Sequence, residues 1–181
     1  MGPSARQAGR VSVSSAIAAN GVGGDFKWRY CTSPDHVEAA VDALMNAVKA
    51  AESRLWNPYN ERYTRGSFRN RIKLAERGEL KPPKEVKRVR SGTPAFVLYE
   101  IRWSDIKVIE RREDGMEQKR IDARLYYAEP PNVGLMLLGL HCHEKRVDGT
   151  PAEIREWQDA EIDKAENLYN EGMRDRWGVL G

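Results

Sequence analysis

The chain changes hydrophobic period near its middle, and that change limits what it can fold into. Val37, Val41, Leu44, Met45 and Val48 recur at three- and four-residue spacing, which predicts an amphipathic helix from Pro34 to about Leu55. Ser33-Pro34 provides a cap with proline at the first helical position, and Trp56-Asn57-Pro58 closes the segment. A second helix is predicted from Glu61 to Arg77, with Phe68, Ile72 and Ala75 inward and Gly78 as its stop, before an extended Leu80-Lys81-Pro82-Pro83 connector. Beyond residue 95 the period becomes two: Phe96, Leu98, Glu100 and Arg102 alternate with Val97, Tyr99, Ile101 and Trp103. Ile106 to Arg112 leads to the hairpin signal Asp114-Gly115, Arg120 to Ala128 returns, and Pro130-Pro131-Asn132 breaks the run. Val133 to His143 is apolar enough for a central strand. Thr150-Pro151-Ala152-Glu153 then forms a capping box, opening a helix that carries Ile154, Trp157, Ala165, Leu168 and Tyr169 to about Gly172. The expected class is α+β: an N-terminal helical hairpin, an antiparallel or mixed sheet of three or four strands, and a C-terminal helix. All helices are expected on one sheet face.

A length of 181 residues suits one domain, placed at 27–173 between a flexible N-terminal tail, 1–26, and a short C-terminal tail, 174–181. The tail assignment rests on Gly, Ser and Ala content without apolar period. The longest apolar run, Val133 to Leu140, is too short to span a bilayer, and no secretory layout opens the chain. Two cysteines, Cys31 and Cys142, make no disulfide framework and suggest a reducing cytoplasm. The net charge of +3 hides a segregation. Arg62 to Arg90 holds eleven Lys or Arg against three acids, whereas Thr150 to Glu171 holds seven acids against two bases. Such a basic stretch suits a polyanion, with Lys81, Lys84, Lys87, Arg88 and Arg90 as candidate phosphate contacts and Lys145, after the histidines, as another.

His141 and His143 lie two residues apart at a strand end, so both face one side of the sheet while Cys142 faces the other. Imidazole suits proton transfer near neutral pH, and Arg or Lys stabilises charge on a reacting phosphate. The adjoining Lys145-Arg146 and the strand residues Arg102 and Arg124 are candidates for that second role. A duller reading pairs Arg102 and Arg124 with Glu100 or Asp122, and makes Trp103, Tyr126, Tyr127 and Cys142 packing residues. His-x-His is also a zinc pattern, but no nearby Cys pair or His-Glu motif adds ligands, so neither metal nor cofactor is expected.

Four stretches carry a family likeness: Leu98-Tyr99-Glu100-Ile101-Arg102-Trp103, Arg124-Leu125-Tyr126-Tyr127, Leu135 to Leu140 with the basic turn after it, and Thr150-Pro151 with Glu153-Ile154. In order and spacing the last hundred residues resemble the RelE/ParE toxin superfamily, nearest to its HigB-like and phage-borne members. The hairpin from Asp105 to Asp122 and the turn from His143 to Thr150 are longer than is usual there. Ile154 and Trp157 stand where some members carry an early-helix tyrosine. The resemblance implies an mRNA-cutting endoribonuclease that works on the ribosome and is held inactive by an antitoxin. Its catalytic set would be His141 or His143 as base or acid, with Arg102, Arg124 and Arg146 around the phosphate. Two other readings stay open: a non-catalytic protein of this fold that inhibits a host protein such as gyrase, or a nucleic-acid-binding regulator.

Overall fold

The structure, a computed structural model, describes residues 16–89, 96–131 and 133–179. Two long strands form its centre. β4 (Leu98–Arg112) and β5 (Gly115–Ala128) pair antiparallel across the expected Asp114-Gly115 turn. β6 (Met136–Glu144) pairs antiparallel with β5, and β1 (Asp25–Trp28) lies parallel on its other side, making β6 an interior strand. The outer edge of β4 carries two short strands, β2 (Arg54–Leu55) at one end and β3 (Val86–Arg88) at the other. Among the described residues the sheet is six-stranded and mixed, and with three α-helices the protein is α+β. None of those helices is long and apolar enough to cross a membrane.

The helices do not share one face. α1 (His36–Lys49) and α2 (Pro58–Glu76) pack with Phe26, Tyr99, Ile101, Trp103, Leu125, Tyr127 and Leu137. Ala165 and Tyr169 of α3 (Pro151–Gly172) pack instead with Leu98, Tyr126, Ala128, Met136, Leu138 and Leu140 on the opposite side. The reason lies in the strands. Neighbours such as Leu98 and Tyr99, or Leu137 and Leu138, are both apolar, so each face needs a cover.

The expected helix ends shift for local reasons. Asp35, not Ser33, caps α1 by accepting from the Glu38 backbone N–H, and α1 stops at Lys49 rather than Leu55. Asn57 caps α2, which begins at Pro58, earlier than Glu61. The capping box of α3 forms as its sequence dictates: the Glu153 N–H donates to Thr150 Oγ1 at 3.3 Å, and the Thr150 N–H donates to Glu153 Oε2 at 2.7 Å.

Both expected tails need correction where they are described. Ala16, Ala18 and Phe26 are buried, a short 3₁₀ turn spans Ile17–Ala19, and the Ile17 N–H donates to Glu129 Oε1 at 2.7 Å. A three-residue turn and a four-residue strand are too short to display a period, which is why composition alone suggested a loose tail. The rest of that expectation, residues 1–15, lies outside the described residues. At the other end Trp177 is buried against Tyr169 and donates its indole N–H to the Tyr169 carbonyl at 2.8 Å. Gly139 makes the β1 contact possible. A Cβ there would sit 2.6 Å from the Trp28 ring and 2.7 Å from that of Phe26.

Burial pushes the Glu129 carboxyl up to about 7. Its folded value lies above the unfolded one, so its contribution is full below about pH 4.5 and is lost as the pH rises through about 7. Allowing for partial solvent screening, the loss is roughly 1–2 kcal/mol. Melting curves of Glu129→Gln and the natural protein, compared from pH 5 to 8, cancel the other titrating groups. The natural protein is expected to lose stability relative to the variant as the pH rises; parallel profiles would refute this role.

Candidate functional site

Register lines the polar residues into two rows across the sheet face that α3 covers. Pairing runs from Lys87 on β3 to Glu100, Tyr126 and His141 on β4, β5 and β6. The next row runs Arg102, Arg124, His143. Directly paired residues share a face, so these side chains belong to one surface, while Cys142 pairs with Leu125 and belongs to the other. The irregularity between Tyr126 and Tyr127 leaves Leu140 unpaired between Gly139 and His141, and Leu140 joins the apolar cluster under α3.

From above, α3 lowers Trp157 and Glu161 onto this surface. Glu161 is buried and meets His141 Nε2 through Oε2 at 2.5 Å, while Lys164 donates to its Oε1 at 2.6 Å. Burial pushes the Glu161 carboxyl up, but the hydrogen bonds from Lys164 and His141 outweigh it and hold it below the usual range. His141 keeps a fifth of its side chain exposed. His143 does not. It is 5% exposed, stacks beside His141 at 5.9 Å, and meets Trp157 in a T-shaped pair at 5.2 Å. Burial lowers it to about 3, so the ring is neutral at physiological pH. Neither of its nitrogens, nor the buried hydroxyl of Tyr126, has a hydrogen-bonding partner among the described residues.

The arginines divide. Arg124 is 1% exposed and committed to the protein, donating to the carbonyls of Trp103 at 3.0 Å and Ala123 at 2.8 Å and to Asp122 at 3.2 Å. Arg102 is partly exposed, with Nε 3.3 Å from Glu100 and Nη1 donating to the Pro83 carbonyl at 3.0 Å. Pairing with Glu100 and Asp122 is therefore real, although Arg124 pairs inside the protein rather than on an exposed face. Lys145 and Arg146 lie beyond the rows, lining a cavity of about 360 Å³ with Lys119, Arg120 and Trp157. Lys81, Lys84, Lys87 and Arg88 are exposed along β3 and the loop before it, while Arg90 lies outside the described residues. One side of the expected site is thus brought together and the other is spread along an edge.

His141 stands nearer the apolar part of the strand and would be expected to be the more buried imidazole; α3 reverses that order by laying Trp157 over His143. Glu161, Trp157 and Lys164 were not among the expected site residues. A signal for Glu161 exists in the helix: it lies four residues after Trp157 and four before Ala165, an acid on the inward stripe. It also adds a third donor to His-x-His that linear spacing does not reveal. Compared with protein-family models, with curated proteins and with solved structures, the chain matches none.

Proposed function

We propose that the chain is a RelE-like, toxin-type endoribonuclease that cuts mRNA on the ribosome in the cytoplasm and is held inactive by a cognate antitoxin. The observation that carries this reading is the convergence of His141, His143, Arg102 and Arg124 in adjoining register rows on one sheet face. The element order, a helical hairpin, three long antiparallel strands and a last helix opened by a capping box, also suits the resemblance. His141 is the proton-transfer group, because it is the accessible imidazole and Glu161 orients it. It takes the 2′-hydroxyl proton, the 2′-oxygen bonds to the adjacent phosphorus, and the P–O5′ bond breaks with the 5′-oxygen taking a proton from solvent water, giving a cyclic phosphate and a 5′-hydroxyl end. Arg102, Lys145 and Arg146 hold the phosphate, while His143 and Arg124 support the site from within. The exposed Lys81, Lys84, Lys87 and Arg88 guide the strand along the β3 edge.

A second reading, a nucleic-acid-binding regulator without cleavage, is favoured by the burial of Arg124 and His143, which keeps both from a phosphate. Controlled expression with 5′-end mapping of transcripts separates the readings. Growth arrest with new 5′ ends is expected, and His141→Ala should slow cleavage by about 10²- to 10⁴-fold, the worth of a proton-transfer group. Cleavage by that variant at the natural rate would remove His141 from the chemistry. Arrest without cuts would favour the binding protein, and arrest with DNA damage a gyrase inhibitor.

A further inference from the structure

We propose that His141, His143 and Glu161 form a binding site for a divalent transition-metal ion of the zinc type. Two imidazole nitrogens and a carboxylate oxygen, from β6 and α3, lie within 4.8 Å of one another. The set combines borderline nitrogen donors with one hard oxygen, which suits zinc, cobalt or nickel and not calcium or magnesium, whose ligands are oxygens. An independent observation comes from His143. Its ring is more than nine-tenths buried and faces this cluster with both nitrogens unpartnered among the described residues. A buried polar group left without a partner is destabilising, and coordination would satisfy one of the two nitrogens.

The surroundings fit a ligand role. Lys164 occupies Glu161 Oε1, leaving Oε2 toward the histidines, so the carboxylate is oriented from its outer side. Trp157 and Tyr126 wall the rings at 5.2 Å and 5.0 Å from His143, a rigid apolar shell. Tetrahedral bonds of about 2.0 Å set ligand atoms roughly 3.3 Å apart. His141 and Glu161 would open slightly and His143 would close in, both by side-chain rotation. Three protein ligands leave a fourth position for water.

The inference does not depend on RNA cleavage. If His141 does transfer a proton, it does so through Nδ1, since Nε2 faces Glu161; a metal on Nε2 would keep the ring's proton on Nδ1, so loading with metal would suppress that chemistry.

The test uses the full chain, stripped with a chelator and titrated with Co²⁺ and Zn²⁺ in the absence of RNA. One equivalent is expected to bind, Co²⁺ giving the intense visible absorption of a four-coordinate site, and the melting temperature should rise with metal. His143→Ala and Glu161→Gln should each weaken binding by at least 100-fold. The second variant keeps the shape of the side chain, so a folding defect in the first leaves the question decidable. Cys31→Ser, at a half-buried cysteine outside the cluster whose thiol donates to the Ser33 carbonyl, should bind as the natural protein does. Absence of binding by the natural protein, or unchanged affinity in both ligand variants, would overturn the proposal.

Discussion

Deletion of residues 1–28 is expected to leave a chain without a cooperative unfolding transition. The cut removes β1, the buried Phe26 and the packed turn around Ala16 and Ala18. It also exposes the long edge of β6, whose Met136, Leu137, Leu138 and Leu140 would become an unpaired apolar edge prone to association. Truncating Phe26 alone to alanine should cost about 3–5 kcal/mol, as for other buried aromatic side chains. Removing the whole segment then approaches the 5–15 kcal/mol that typically separates folded from unfolded domains. Calorimetry and gel filtration of the deletion and of Phe26→Ala check both figures. A deleted chain that melts cooperatively within a few degrees of the full one would show that β1 is dispensable.

Replacing Arg54 by alanine should destabilise the protein by about 3–5 kcal/mol, the cost of leaving buried partners uncompensated. Arg54 sits at β2 with its guanidinium buried and joins three elements. It donates to the Val48 carbonyl at the end of α1, to Glu110 on β4 at 2.9 Å and to Glu144 at the end of β6 at 2.5 Å. The hydrogen bond and charge of Arg54 hold Glu110 below the ordinary carboxylate range despite the opposing effect of burial. Without the cation Glu110 keeps, among the described residues, Lys119 and Arg112 as its ion-pair partners, at 3.6 Å and 3.8 Å. Denaturant unfolding of Arg54→Ala, with Glu110→Gln and the double variant, measures the coupling. The double variant should recover part of the loss; simple additivity would refute the pairing.

These two sites show where sequence reading fails and why. Arg54 follows a helix and precedes Trp56-Asn57-Pro58, so its surroundings along the chain read as a helix end. Its partners lie 56 and 90 residues away. Phe26 follows a glycine-rich run, and its strand is only four residues long. Short segments acquire meaning from the strand they dock on, and β6 lies more than a hundred residues downstream.

By itself the sequence determined what depends on neighbours a few positions apart. The capping box at Thr150, the Asp114-Gly115 turn, the inner face of α2 and the shared side of His141 and His143 are all of this kind. Each rests on helical or strand geometry, or on a hydrogen bond closing over three residues, and nothing distant can easily override it. Only the tertiary structure decided how the rows align, because register passes through bulges after Trp103 and Tyr126 whose positions no local rule sets. It also decided that α3 covers the face opposite α1 and α2, since both parities of the strands are apolar and either face would accept a helix. From that single placement follow the burial of His143, the partial exposure of His141 and the contact with Glu161 twenty residues on. The residue types at this site were legible in the chain; their accessibility came from the helix laid over them.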